Sequence, residues 1–350
     1  MKLGLGMSSM SLSRENLRFA KQAGVTHITL HSSELRRKDE IIPKDPPGYT
    51  GEGAIWTVED LLELKRVVNE EGLVLEALEN YNPAFWYDIL LDGPKKQQQM
   101  ENLKILIRNV GKAGIPIFGY YFSIAGVWGR VWGPFARGGA EVPAYQDPEQ
   151  TPIPKGWVWG SVYDRNPEPG FLAPVLRAEM WERLHYYLSN LLPVAEDARV
   201  VLAAHPDDPP MPALRGTQRL IYQPDYYEKL FNLVPSPNNQ AELCVGTLAE
   251  MSNEGFYEAI DTYAMMGKIA YVHLRNVRGK VPNYTEVFID EGDTDILRIL
   301  SILHRNNFQG VIIPDHAPQM TCPAPWHAGM AFALGYLRAG MTVVERGWEG

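Results

Sequence analysis

Cysteine is nearly absent from this chain of 350 residues: only Cys244 and Cys322 occur, both in the C-terminal third. Two such thiols are no disulfide framework, so the fold must rest on its apolar core and a reducing cytoplasm is the expected compartment. There Cys244 is free to act as a thiolate. No apolar run is long enough to span a bilayer, so no membrane partner is expected. The opening MKLGLGMSSMS is too short and too polar for a secretory signal and reads as a strand followed by a turn. An excess of basic charge is missing as well, since 33 Lys and Arg face 42 Asp and Glu for a net charge of −9. Phosphate binding needs a basic face, which excludes a general nucleic-acid binder. No block of like charge marks a tail, and there is no internal repeat.

What is present is alternation. Strand-like segments fall at residues 3–7, 27–31, 73–79, 117–122, 200–205, 242–246, 270–274 and 311–315. Helix-like segments lie between them and at the end, at 13–23, 57–71, 96–113, 174–196, 226–233, 255–266, 293–306 and 328–339. The second opens Thr57-Val58-Glu59-Asp60, a capping-box pattern, and closes on Gly72. Eight strands alternating with eight helices predict an α/β fold, a single (β/α)8 TIM-barrel domain over residues 1–350. A doubly wound open sheet is the alternative, and the count of eight favours closure. Two long insertions interrupt the pattern, residues 36–55 after strand two and 128–171 after strand four. Loops after barrel strands lie on the active-site face. The aromatics and arginines of the second insertion, Trp128, Trp132, Trp157, Trp159, Arg130 and Arg137, would suit a lid over a polyol or sugar. They would equally suit a subunit interface in a homo-oligomer.

Four residues of metal-ligand type close or nearly close consecutive strands five to eight: His205, Cys244, His273 and Asp315. Singly, each has an ordinary explanation as a hydrogen-bonded histidine, a small buried thiol or a helix cap. Together, on neighbouring barrel strands, they would converge at one end of the mouth. Two imidazoles, a thiolate and a carboxylate suit Mn²⁺ first, with Fe²⁺, Co²⁺ or Zn²⁺ as alternatives, and disfavour Mg²⁺ and Ca²⁺. Asp207 and Asp208 follow His205; Asp207 is expected to orient the ligand or the substrate, and Asp208 to be a solvated turn residue. Arg275 and Asn276 follow His273, and the arginine would grip a substrate carboxylate. His316 follows Asp315 and is the candidate acid or base. Glu79 and Asn80 after strand three, His31 at the end of strand two and Arg130 are candidate substrate contacts. His185 and His304 lie in helix patterns and read as structural.

These segments resemble the signature blocks of the mannonate dehydratases: His205-Pro206-Asp207-Asp208-Pro209-Pro210, Cys244-Val245-Gly246-Thr247, His273-Leu274-Arg275-Asn276 and Pro314-Asp315-His316. Residues 99–114 and Gly292-Asp293-Thr294-Asp295 match too, in the same order, from about residue 56 to residue 335. The resemblance implies a xylose-isomerase-like barrel with Mn²⁺ or another divalent ion on His205, Cys244, His273 and Asp315. It implies dehydration of D-mannonate, or a closely related aldonate, to 2-dehydro-3-deoxy-D-gluconate in hexuronate catabolism. The ion and Arg275 would hold the carboxylate as the C2 proton leaves, and His316 would protonate the departing C3 hydroxyl. Three stretches depart from the family. A Pro-Gly-Tyr with a proton-transfer tyrosine becomes Pro325-Trp326-His327, so His327 replaces the tyrosine or its role is absent. Two family histidines are missing from the stretch running from Tyr284 to Asp293, and residues 120–130 match only loosely. The competing readings are a metal-dependent sugar isomerase or epimerase on the same barrel, and a non-catalytic barrel that binds a ligand or a structural metal.

Overall fold

Segments buried on both faces favour parallel pairing. The computed structural model describes residues 1–8, 11–31 and 55–347. Its barrel strands are β1 (Lys2–Ser8), β2 (His27–His31), β3 (Val74–Glu79), β4 (Ile117–Tyr120), β5 (Val201–Ala204), β6 (Asn239–Cys244), β7 (Ile269–His273) and β8 (Val311–Ile313). They pair in parallel in chain order, and β8 closes onto β1. The predicted (β/α)8 barrel is therefore the fold. Helices cover the outside, among them Arg14–Gln22, Val58–Glu70, Lys96–Lys112, Arg177–Ala198 and Pro325–Glu345. Thr57 and Asp60 form the expected capping box, each side chain taking the other's backbone N–H. Gly72 follows that helix at φ 72°, a left-handed conformation that costs glycine little.

Inside the barrel, Ala77, Ile117, Ala203, Tyr271, Val311 and Ile313 pack as one buried cluster. This apolar plug supports the layer above it. Side chains in a strand alternate between faces, so each strand sends every second residue inward. Glu79 lies two residues past Ala77, and Cys244 two past Glu242. His273 and then Arg275 follow Tyr271, and Asp315 follows Ile313. The charged layer is thus stacked on the apolar one by the period of the strands.

Of the two expected insertions, one lies outside the described residues and one is corrected. The insertion predicted at 36–55 lies outside the described residues except for Ile55. The insertion at 128–171 is not plain loop: Arg130–Ala136 and Ala140–Gln146 form an antiparallel hairpin. That hairpin pairs with a second one after β7, Asn276–Lys280 and Asn283–Val287, in a four-stranded sheet. This third excursion was not anticipated. Its signal was present in the Gly279–Asn283 turn between two short alternating segments. Among the described residues, no helix is long and apolar enough to cross a membrane.

Candidate metal centre and active site

Strand register brings the donors together. Cys244 on β6 lies opposite His273 on β7, and His273 opposite Ile313 on β8. His205 directly follows β5, and its N–H is held by the Tyr120 carbonyl at 2.9 Å. One donor atom each of His205, Cys244 and His273 lies within 4.8 Å of the others, close enough to share an ion. Asp315, two residues past β8, completes the group: its Oδ2 lies 3.7 Å from Cys244 Sγ and its Oδ1 3.6 Å from His273 Nδ1. Strand six ends at Cys244, not at residue 246, and Val245–Glu250 turns at once into a short helix.

The electrostatics of this floor fit a bound cation. Burial pushes the His205 ring below its ordinary value, which keeps it a neutral ligand. His273 behaves in the opposite way. Burial would discharge it, but Glu79, Glu242 and Asp315 outweigh burial and raise it well above the usual imidazole value. A buried ring ringed by three carboxylates holds a proton where positive charge is wanted. His273 Nδ1 itself is buried without a hydrogen-bond partner among the described residues. The donor set of two nitrogens, one sulfur and one oxygen accommodates a divalent transition ion.

Beside the floor stands a wall of ion pairs, and it revises several assignments. Arg275 is fully buried; its guanidinium touches Cys244 Sγ at 3.1 Å, Asp208 and Glu250 at 2.9 Å each, and Asp315. It is spent on protein carboxylates and is not a free grip for a substrate. Gly246 makes this possible, because a Cβ there would stand 2.3 Å from Arg275 Cγ. Asn276 is likewise saturated. Its amide donates to the Ile289 and Thr294 carbonyls and accepts from the Val277 and Thr294 N–H groups, so it pins a loop rather than a substrate. Arg130 reaches Asp208 at 2.6 Å and Glu286 at 3.2 Å, bracing the wall from the insertion hairpin.

Both aspartates after His205 are buried, and neither keeps its expected role. Asp207 is buried and accepts from the Leu220 and Ile221 N–H groups at 2.7 and 2.8 Å, beside the Arg219 guanidinium. It shapes its own loop. Asp208, expected to be solvated, is buried between Arg130, Arg275, Thr247 and Tyr284. Burial alone would raise its carboxyl, but Arg130 and Arg275 hold it well below the usual carboxylate range.

Glu79 is also corrected. It is wholly buried under the mouth, 2.6 Å from His31 Nε2, 2.6 Å from Tyr271 Oη and 3.2 Å from His273 Nε2. His31, with its side chain 40% exposed, caps this pair at the mouth. Burial disfavours its charge, yet Glu79 outweighs it and raises the ring. Asn80 sits beside it at φ 57°, its amide nitrogen 3.2 Å from His31 Nδ1 and its Oδ1 buried without a hydrogen-bond partner among the described residues.

His316 stands at the rim, with Nδ1 2.7 Å from Glu286 and Nε2 3.6 Å from Asp315. Burial opposes its charge, but the two carboxylates raise it above the ordinary imidazole value. His327 is turned elsewhere: Nε2 pairs with Asn16 at 2.9 Å and the ring packs edge-on against Phe19. The structure thus gathers His31, Glu79, Asn80, Arg130, His205, Cys244, His273, Arg275, Asp315 and His316, and sets Asp207, Asn276 and His327 apart. Sequence reasoning missed Glu242, 3.2 Å from His273 Nε2. Burial, then the nearby Glu79 carboxylate, pushes its carboxyl up to about 7. A carboxylate two residues before a ligand on one strand was the available signal. Glu286 and Glu250 were missed too, since only the hairpin and the short helix bring them in.

A closed parallel barrel with nitrogen, sulfur and oxygen donors at its C-terminal mouth defines the class, a (β/α)8 barrel with a candidate metal centre. A xylose isomerase domain protein from Planctomyces limnophilus shares the fold at TM-score 0.59, 11% identity and coverage of 99% of this chain and 98% of that one. The family model for D-mannonate dehydratase (UxuA) matches residues 16–134 and 169–338. Mannonate dehydratase of Geobacillus thermodenitrificans is 32% identical over 286 residues, 75% of this chain and 76% of that protein. The crystal structure of mannonate dehydratase from Streptococcus suis serotype 2 superposes at TM-score 0.80 with 25% identity, covering 99% of this chain and 94% of that one. The chain belongs to the D-mannonate dehydratase family, and it is an enzyme of the hydro-lyase class.

Proposed function

We propose that this sugar-acid dehydratase removes water from D-mannonate, or a closely related aldonate, to give 2-dehydro-3-deoxy-D-gluconate. The reaction takes a proton from C2 and hydroxide from C3, and the resulting enol ketonises to the 2-keto-3-deoxy acid. His205, Cys244, His273 and Asp315 would hold a divalent ion, with Mn²⁺ first and Fe²⁺, Co²⁺ or Zn²⁺ as alternatives. When bound, that ion supplies Lewis acidity toward the substrate carboxylate and hydroxyls.

Proton delivery to the leaving group and the contacts to substrate hydroxyls fall to the chain's own groups. His316 carries the proton for the departing C3 hydroxyl, because Glu286 orients its Nδ1 while the ring stays open to the mouth. His31 and Asn80 offer polar contacts to substrate hydroxyls from the opposite rim. The observation that carries the reading is His316 between Glu286 and Asp315, beside the donor group. Cys322 is exposed and Cys244 buried and unbridged, which suits a reducing cytoplasm.

The test is incubation of the metal-loaded protein with D-mannonate and a panel of other aldonates and uronates, followed by mass spectrometry. Loss of water with appearance of a 2-keto-3-deoxy acid supports the proposal. A product of unchanged mass would replace it with isomerisation or epimerisation.

A further inference from the structure

The floor contains two histidines whose rings are tied down at different nitrogens. His205 Nδ1 lies 2.6 Å from the Pro206 carbonyl oxygen. A carbonyl can only accept, so Nδ1 carries the proton and Nε2 is left with its lone pair. His273 is held the other way round. Its Nε2 lies 3.2 Å from a Glu79 oxygen and 3.2 Å from a Glu242 oxygen, both buried. Its Nδ1 faces Asp315 and is buried without a hydrogen-bond partner among the described residues.

From this we infer that the two imidazoles bind the ion through different nitrogens, His205 through Nε2 and His273 through Nδ1, with Glu79, hydrogen-bonded to His273 Nε2, as the positioning residue that imposes the second choice. The inference rests on the metal site proposed above and deepens it. A carboxylate that takes the outer N–H of a ligand histidine fixes its tautomer and makes the other nitrogen a better donor. Glu242, at ion-pair distance from the same nitrogen, places a second carboxyl group beneath the ring.

Two further features support it. Tyr271 donates to Glu79 at 2.6 Å, which fixes that carboxylate in place. On β4, Gly119 leaves the room the pair requires: a Cβ there would stand 2.6 Å from Glu242 Oε2, 2.5 Å from Tyr271 Oη and 2.9 Å from Glu79 Cβ. Glu79, Glu242 and His273 are also close enough to hold an ion themselves. That arrangement would put the ion on His273 Nε2, beneath the ring and sealed from the mouth, since all three residues are buried. It makes the opposite prediction.

The experiment loads the full chain, labelled with ¹⁵N-histidine, with diamagnetic Zn²⁺ and reads the ring nitrogens by long-range ¹H–¹⁵N correlation. Single-histidine variants assign the signals. The expected result is one ring metallated at Nε2 and protonated at Nδ1, assigned to His205, and one with the reverse pattern, assigned to His273. Zn²⁺ affinity, measured by chelator competition, should fall by about 10- to 100-fold in Glu79→Leu. Glu79→Gln keeps an accepting oxygen and should lose much less. Metallation of His273 at Nε2 would overturn the inference, as would wild-type affinity in a folded Glu79→Leu variant. Where that variant fails to fold, the ring pattern in the wild type and in Glu79→Gln decides. If Zn²⁺ metallates neither ring, the metal-site reading itself fails.

Discussion

The floor of the barrel mouth and the wall beside it are both dense in charge, yet they are finished differently. In the floor, His205 keeps one ring nitrogen in reserve and His273 Nδ1 has no hydrogen-bond partner among the described residues. In the wall, Arg130 and Arg275 are each shared among buried carboxylates, Asp208 with both of them. Arg275 pairs with Cys244 and Asp315 of the floor, and what the floor adds is two imidazoles and a thiol, groups that can ligate a cation. The wall pairs arginines with carboxylates, and the buried polar atoms it leaves without a hydrogen bond among the described residues belong to those ion pairs. The difference teaches that charge density alone does not mark a binding site; the chemistry of the donors does.

The sharpest way to break the comparison is to remove the residue common to both regions. Arg275 joins Cys244 and Asp315 of the floor to Asp208 and Glu250 of the wall. Arg275→Met should destabilise the metal-free protein by about 3–5 kcal/mol, because it strands buried carboxylates. Urea unfolding checks this. If Arg275 instead served to hold substrate, the variant would keep its stability and lose affinity for the sugar acid.

His316 stands where the two regions meet and tests them separately. His316→Ala should lower turnover by about 10²- to 10⁴-fold, the range for a lost general acid. Metal content and unfolding midpoint should stay near wild type, since the side chain is 40% exposed and is not among the donors. Full turnover in the metal-replete variant would remove His316 from the mechanism.

The same division governs what could be read from sequence. The floor was legible because strands impose a period of two, and ligand-type residues at four consecutive strand ends have one place to meet. Glu242 obeyed that rule one layer deeper and was passed over within an otherwise apolar strand. The wall was not legible, because its partners arrive from separate loops. Arg130 comes from the hairpin after β4, Glu286 from the hairpin after β7, and Glu250 from the turn after β6. Asp207 and Asp208 show the limit most clearly. They are adjacent, chemically identical and placed in a loop without fixed alternation, so nothing local says which one turns inward. The loop's own N–H groups at Leu220 and Ile221 take Asp207, and the arginines take Asp208.

Acid should dissolve the wall in a defined direction. Asp208 is held below its usual value in the folded protein by Arg130 and Arg275, against the opposing effect of burial. Its contribution is therefore fully present above the unfolded carboxylate value, about 4, and is lost as pH falls through the lower folded value. Asp208→Asn keeps the shape and removes the charge. At neutral pH it should be less stable than wild type by about 1–3 kcal/mol, the range for hydrogen bonds to charged groups. The gap between the urea midpoints of the two metal-free proteins, taken along a falling pH series, should begin to narrow below about pH 4 and close only as the lower folded value is passed. A gap that stays constant with pH would mean that the Asp208 charge contributes nothing to the wall.

The smallest expected effect belongs to His327, and its smallness is informative. It is the residue that the resemblance would set in place of a proton-transfer tyrosine, but its Nε2 is paired with Asn16 and its ring rests edge-on against Phe19, 4.8 Å between centroids. Those contacts bind the start of the last helix to the first one. His327→Ala should cost about 0.5–1.5 kcal/mol in stability, the size of an aromatic contact or a single hydrogen bond. Turnover at saturating substrate should be unchanged. A large loss of turnover without loss of stability would move the acid-base group away from His316. It would also require the ring to leave Asn16 and swing toward the donors, so the Asn16→Ala variant, which frees that ring, would then change turnover as well. If both substitutions leave turnover intact, His327 has no part in the proton chemistry of this chain.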